Sequence, residues 1–329
     1  MYKQATDRQD SLPLISVVIV SWNAKRYVDE CLSSLYSDRQ VCFEVIVVDN
    51  GSSDGTPEMV CASYPQARLV RNSENLGFAR ANNIGIEISR GKYLFLINSD
   101  VNVPPGCLSR LLSYMEEHPE IGLLGPQMRG ADGSVRRSCM RLPTVANAFC
   151  RTFAIDMLTK NASGLRSQLM LDFSHDKIAD VEVLNGWFWV VRRQALDQVG
   201  LLDPRFFIYA EDLDWCHRFR KAGWRLVFYP EAYAVHYGGS SSAAAPVRFY
   251  TEMYRANLQY WNKHHTPLGV AAFILLSLIH QLLRITGYSA LFLLRPASRR
   301  QALYKIRRSG ALLFSMVGRP LLGRSGYAS

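Results

Sequence analysis

The chain has 329 residues, 48% of them hydrophobic, with seven cysteines and a formal net charge of +10. That length and apolar content support a sizeable buried core and exclude a disordered tail. Evenly spread, the charge would point to nucleic acid, but residues 1–252 hold 27 basic and 28 acidic side chains and no Asp or Glu follows Glu252. The excess therefore belongs to the C-terminal part alone.

In chain order, MYKQATDRQDSLP (1–13) has no apolar stretch, so no secretory signal is expected and the main part of the chain is expected in the cytosol. The cysteines form no C-x-x-C pair and no zinc spacing with histidine; their odd number argues against a disulfide framework and predicts buried thiols. Aliphatic and β-branched runs predict strands at 14–23, 43–50, 67–72 and 92–100. Helical patterns predict helices over 25–37, 56–63, 78–89 and 104–117, the last opened by Pro104 and Pro105. Alternating elements with strands apolar on both faces predict an α/β fold with a mostly parallel sheet. Ligands of such sheets bind beyond the carboxyl ends of the strands. Those ends carry Asn23, Asp49, Asn50, Asn98 and Asp100.

Two phosphate motifs are absent: no G-x-x-x-x-G-K-[ST], and no G-x-G-x-x-G after the first strand. A P-loop ATPase and a dinucleotide dehydrogenase are thereby unsupported. DNGSSDGT (49–56) begins like a calcium loop, but its twelfth position is Val60, so it reads as a Gly-rich turn. INSD (97–100) ends a strand on Asn98 and Asp100, two apart and so expected on one face, an oxygen-rich corner suited to Mg or Mn. Farther on, FIYAEDLDWCHRFRKAGW (207–224) sets Glu211, Asp212 and Asp214 ahead of Arg218, Arg220 and Lys221. That order suits the two ends of a helix dipole and is also compatible with a catalytic carboxylate.

GGSSSAAAP (238–246) reads as a flexible connector. The apolar runs 267–283 and 285–294 flank Arg284, and RRQALYKIRRSGALLF follows at 299–314. Because His280, Gln281 and Arg284 interrupt the apolar run, an interfacial or re-entrant pair of amphipathic or apolar helices is expected, its cations drawn to anionic lipid at the cytoplasmic face. An ordinary helical hairpin packed on the main domain is the alternative.

The order of SVVIVSWN, VIVVDNGSSDGT, RNSENLGFARANNIGI, GKYLFLINSD and LNGWFWVVRRQALDQVGLLDPRFFIYAEDLDWCHRFRKAGW resembles the family 2 glycosyltransferases, in particular their rhamnosyltransferase-like branch. The resemblance runs over roughly residues 14–264. It implies the GT-A fold, Rossmann-like with flanking helices, and inverting transfer of a sugar from a nucleotide-diphosphate donor. By the same resemblance Asp49 and Asn23 bind the nucleobase, while Asn75, Gly77, Arg80 and Asn83 lie along the nucleoside and pyrophosphate. Asp100 matches the last Asp of the D-x-D metal motif, whose first position is Asn98 here, and His236 approaches the metal or diphosphate. Asp212 matches the general base and Glu211 a residue that orients substrate, while Asp214 reads as a helix residue. Asn185, Gly186 and Trp187 fall where the family builds its acceptor floor, although small residues usually follow Asn-Gly there. Of Trp187 and Trp189, one is expected in the site and one in the core. Residues 139–182 correspond to a variable region near the acceptor.

The resulting expectation is an N-terminal tail (1–13), a GT-A domain (14–264) and a basic membrane-associating tail (265–329). Rhamnose from dTDP-rhamnose is the donor of first choice, with a lipid-linked glycan as acceptor, Mg or Mn as cofactor, and no nucleic-acid partner. A nucleotidyltransferase would want a G-x-G-T-R type loop where SWNAKRY stands. A non-catalytic sugar-nucleotide-binding or scaffold protein is the other rival.

Overall fold

The computed structural model describes residues 14–155, 167–238 and 246–318; the 1–13 tail and most of the 238–246 connector lie outside them. The first half alternates as expected: β1 (Ile15–Ser21), α1 (Lys25–Ser37), β2 (Phe43–Asp49), α2 (Thr56–Ser63), β3 (Arg68–Arg71), α3 (Phe78–Ile88) and β4 (Tyr93–Asn98). After it come β5 (Val101–Asn102), α4 (Cys107–Glu117), β6 (Ile121–Arg129), β7 (Val135–Arg136), β8 (Cys139–Met140), α5 (Val145–Thr152), β9 (Ala179–Asp180) and β10 (Val183–Leu184). The chain continues through β11 (Phe188–Arg192), α6 (Arg193–Val199), α7 (Glu211–Lys221), β12 (Arg225–His236), α8 (Pro246–His264), α9 (Pro267–Leu294), a 3-10 turn (Pro296–Ser298) and α10 (Arg299–Gly318).

The main sheet runs β3-β2-β1-β4-β11-β6-β12-β5, with β7 on β6 and β9 on β12. Its first four strands are parallel, β6 and β12 are parallel, and β11 enters antiparallel between β4 and β6. Val17, Ile19, Val45, Val47, Phe95, Ile97, Phe188 and Val190 are buried in one core that also takes Val28, Leu32 and Leu35 of α1. On the other face α3 comes so close that a Cβ on Gly85 would stand 2.4 Å from Val18 Cγ1. Arg192, buried in β11, donates to the carbonyls of Met115, His118 and Ile121 and to the Tyr93 hydroxyl, tying the end of α4 to the sheet.

The seven cysteines are all free, but the expectation of buried thiols is met by only five: Cys42 and Cys61 are exposed.

Two compact units are distinguishable: the sheet and its helices, and a helical unit formed by the described residues within 143–172, 208–210 and 242–329. α8 thus groups with the C-terminal helices, ahead of the expected 264/265 boundary. In the helical unit Tyr254, Leu258 and Leu312 form a small core with Phe273 and Ile274, and Trp261 stacks on Phe273 at 4.9 Å. The apolar runs on either side of Arg284 form one helix of 28 residues, and α10 follows it. His280, Gln281 and Arg284 keep their backbone donors, and Gly287 costs about 1 kcal/mol, so nothing breaks the ladder as proline would. By length and composition α9 can cross a membrane.

Candidate functional site

The strand ends do gather polar groups. Register sets Ser21 of β1 beside Asp49 of β2, and Val20 beside Asn98 of β4. Asp49 is buried; one oxygen accepts from Ser52 N at 2.9 Å, while Oδ1 is buried without a partner. Buried polar atoms are nearly always paired, so such an oxygen at the mouth of a sheet invites a ligand donor. Asn23 adopts a left-handed φ of 48° and its Oδ1 accepts from Ser53 N at 2.8 Å, which ties the end of β1 to the 49–56 turn. Asp54 in that turn caps two helices, accepting from Lys25 N at 2.9 Å and Thr56 N at 3.0 Å.

Asn50, which the family resemblance gave no role, is the organiser of the next loop. Its amide nitrogen donates to Asn75 Oδ1 at 2.9 Å and to the Gly77 carbonyl, and its Oδ1 accepts from Leu76 N and Asn72 Nδ2. Its signal in the sequence was its place at a strand end beside Asp49. Gly77 has φ +83° and a Cβ there would meet Phe207 O at 2.5 Å, so only glycine fits between this loop and 207. Asn83 engages both ends of its amide on the Leu202 backbone, at 2.8 and 3.0 Å, and Arg80 Nε donates to Pro204 O. Their polar atoms hold the 200–207 loop, a local role that sequence did not reveal.

Asp100 and His236 meet at 3.2 Å, Oδ1 to Nε2, because β12 pairs with β5 immediately after the aspartate. Asn98 and Asp100 do not share one strand face as expected, because β4 ends at Asn98 and Asp100 lies in a turn. The half-buried Trp187 ring lies 4.7 Å from the imidazole, and Trp187 O accepts from Asn98 N at 3.0 Å. A carboxylate and an imidazole make a partial donor set for a hard cation, and no cluster of three or more ligating side chains occurs among the described residues. These donors fit Mg or Mn of the kind completed by substrate phosphate oxygens and water.

At the head of α7 stand Glu211 and Asp212. The chain enters the helix through Tyr209 and Ala210, both with left-handed φ of 71° and 61°. Side chains rarely adopt that region, and such strain persists where the surroundings over-determine it. Burial, together with the Asp212 charge, pushes Glu211 up to about 8. Burial likewise raises Asp212 to about 6, opposed by the amides of Leu213, Asp212 and Gly186. Glu211 Oε2 and Asn185 Oδ1 are buried without partners, as is Asp49 Oδ1. Trp189 is wholly buried, its indole donating to Leu184 O at 2.9 Å and its ring so near Gly186 that a Cβ there would stand 3.1 Å from it, closer than ordinary van der Waals contact. The wholly buried Asp214 pairs with Arg218 at 2.9 Å, and Arg218 donates onward to Val199 O and Leu201 O. Asp214 is thus the structural member of the acidic trio, and Arg218 and Asn83 grip the same loop at adjacent residues.

The family model of glycosyl transferase family 2 matches residues 16–199. The chain belongs to this family. As a family 2 glycosyltransferase it is 30% identical over 248 residues to the N-acetylglucosaminyl-diphospho-decaprenol L-rhamnosyltransferase of Mycobacterium tuberculosis, covering 71% of this chain and 79% of that one. It is 27% identical over 231 residues to glycosyltransferase AglE of Haloferax volcanii, covering 69% and 67% of the two chains. Among solved structures, the mannosyltransferase PcManGT from Pyrobaculum calidifontis in complex with GDP-Man and Mn2+ superposes with a TM-score of 0.57 at 18% identity, over 94% of this chain and 89% of that one. GalNAc-T7 with UDP, GalNAc and Mn2+ gives 0.52 at 16% identity, over 68% and 43%. Both support the GT-A fold of this glycosyltransferase. The family match takes in Asn23 through Trp187 and stops before Glu211.

Proposed function

We propose that this glycosyltransferase moves a sugar, with inversion, from a nucleotide-diphosphate donor to a lipid-linked glycan precursor, and that dTDP-rhamnose is its donor. The similarity to a rhamnosyltransferase whose name carries a diphospho-decaprenol acceptor supports both choices. The observation that carries the chemistry is the carboxyl pair at the head of α7, with Asp212 held near neutrality and met by the Gly186 amide.

Asp212 takes the proton of the acceptor hydroxyl as that oxygen bonds to the anomeric carbon and the bond to the diphosphate breaks, releasing nucleoside diphosphate. Glu211, protonated at neutral pH, donates a hydrogen bond to substrate. Asp49 Oδ1 accepts from the nucleobase, with Asn23 fixing the turn beside it; Asn75 and Gly77 shape the loop along the nucleoside, and Arg80 and Asn83 hold its neighbour. Asn98 lies at the donor side of β4, and Asn185, Gly186 and Trp187 form the acceptor floor. Mg or Mn held by Asp100 and His236 would stabilise charge on the departing diphosphate. The sheet unit carries the catalytic machinery, and the helical unit, in which α8 joins residues 265–329, associates with the cytoplasmic face of the membrane; a long apolar helix followed by a basic one suits a lipid-borne acceptor.

The test is nucleoside diphosphate release from UDP-, dTDP- and GDP-sugars with Mn, Mg or chelator, with and without a prenyl-diphosphate-linked N-acetylglucosamine acceptor. Metal-dependent turnover of dTDP-rhamnose, stimulated by the acceptor and lost in Asp212→Asn, is expected. Turnover of another donor alone, or indifference to Asp212→Asn, would overturn the assignment.

A further inference from the structure

α9 holds a single charged side chain, Arg284, in its 28 residues. A cation in so apolar a helix is costly against hydrocarbon, and such residues face polar partners. Arg308 of α10 lies over the Tyr250 ring, 4.1 Å from guanidinium carbon to centroid. The Tyr250 hydroxyl donates to Gln281 Oε1 at 3.2 Å, and the buried Gln281 stands one turn before Arg284. Tyr250 and Gln281 thereby bring the two guanidinium groups into one neighbourhood. Lys305, one turn before Arg308, belongs to it as well: burial and the charges of Arg308 and Arg284 push its ammonium below the usual lysine range.

Among the described residues no carboxylate pairs with Arg284, Lys305 or Arg308. The sequence has no Asp or Glu beyond Glu252, and Glu252 pairs with Arg255 at 2.6 Å. Arg284 Nε, Arg308 Nε and the hydroxyl of the wholly buried Ser309 are buried and make no hydrogen bond. Buried donors on like-charged groups are unfavourable unless an anion with several acceptor oxygens completes them, and arginine forks match phosphate geometry.

We propose that Arg284, Lys305 and Arg308 form a binding site for phosphate or diphosphate borne by a lipid. The inference rests on the membrane association proposed above, and its test separates the two. Flotation of the full-length protein is measured with neutral phosphatidylcholine vesicles, with the same vesicles carrying dilute prenyl diphosphate, and with vesicles carrying phosphatidylglycerol at equal charge. The double variant Arg284→Gln/Arg308→Gln is compared with Arg300→Gln/Arg307→Gln, which removes the same charge from exposed positions of α10.

Added prenyl diphosphate is expected to strengthen wild-type binding. The first double variant should lose that gain by about thirtyfold, and the second should keep it. If phosphatidylglycerol gives the same variant-sensitive gain, the site stands and its occupant is a phospholipid headgroup. Equal losses in both variants would mean diffuse charge and overturn the site. Wild-type binding to neutral vesicles with no gain from either anionic lipid would overturn the site and leave membrane association standing. Absence of binding to any vesicle would overturn both. Should the double variant unfold, Arg308→Lys replaces it: the charge stays and the fork is lost, so weakened binding to diphosphate vesicles supports the site and unchanged binding overturns it.

Discussion

His236 Nε2 lies 3.2 Å from Asp100 Oδ1, and the contact is built by strand pairing rather than by sequence proximity. The imidazole meets that carboxylate through Nε2 and packs against the Trp187 ring at 4.7 Å, which restricts its orientation. Exchange of His236 for Gln is expected to raise the Mn or Mg concentration needed for half-maximal turnover by about 10- to 100-fold, the scale seen when groups orienting a metal site are removed. A metal titration that superposes on the wild type would remove His236 from the site.

For Asp212, conversion to Asn is expected to lower kcat by about 100- to 10,000-fold, the span of general-base contributions. Because the base must be ionised, wild-type kcat should rise with pH through the region near 6 to which burial lifts Asp212. The residual rate of the Asn variant should lack this limb. A limb that persists unchanged in the variant would assign the base elsewhere.

Glu211 makes a separate prediction about stability. Its folded value near 8 exceeds its ordinary 4.5, so between those values the folded chain binds more protons than the unfolded one. Stability then falls as pH rises across that window. Glu211→Gln removes the penalty, and its thermal midpoint should exceed that of the wild type by a margin that widens from pH 5 to pH 8. Thermal melts at several pH values check this; a constant margin would contradict a buried, protonated Glu211.

Asp49 Oδ1 is the buried acceptor at the end of β2. Asp49→Asn, which retains an oxygen for Ser52 but exchanges the other for an amide, should weaken nucleoside diphosphate binding by about 10- to 100-fold, as expected for loss of a hydrogen bond to a charged group. Calorimetry with dTDP and UDP measures it. Unaltered affinity for both would place the nucleobase elsewhere.

Asn83 is expected to behave differently. Asn83→Ala leaves the Leu202 amide and carbonyl without their partner and should destabilise the fold by about 1 to 3 kcal/mol, with little change in nucleotide affinity at temperatures where the variant is folded. Denaturant melts and calorimetry together decide; a large affinity loss with an intact fold would return Asn83 to the nucleotide.

Much of the N-terminal half was legible because local signals dominate it. Periodicity and strand-ending asparagines and aspartates located β1, β2, β4 and their helices to within a few residues, and put Asp49 at a carboxyl end. What escaped was set by contacts distant in sequence. The antiparallel entry of β11, the approach of His236 to Asp100, and the grip of Asn83 and Arg218 on the 199–202 backbone have no local signature. The Asn98 and Asp100 alternation failed because a turn begins one residue too early for it. α9 runs on through His280, Gln281 and Arg284 because helix backbone tolerates polar side chains and only the hydrophobic face notices them.

The placement of β11 also has a consequence for synthesis. β4 is paired with β1 on one side, and its other side is closed only by residues 188–192. On the ribosome, the parallel half therefore emerges with an open apolar edge that waits for the chain to deliver its closing strand. Such edges template pairing with neighbouring chains. A nascent chain stalled before Phe188 would be a candidate for holdase chaperones, and a stop codon in that interval would yield an aggregating fragment rather than an inactive but soluble one.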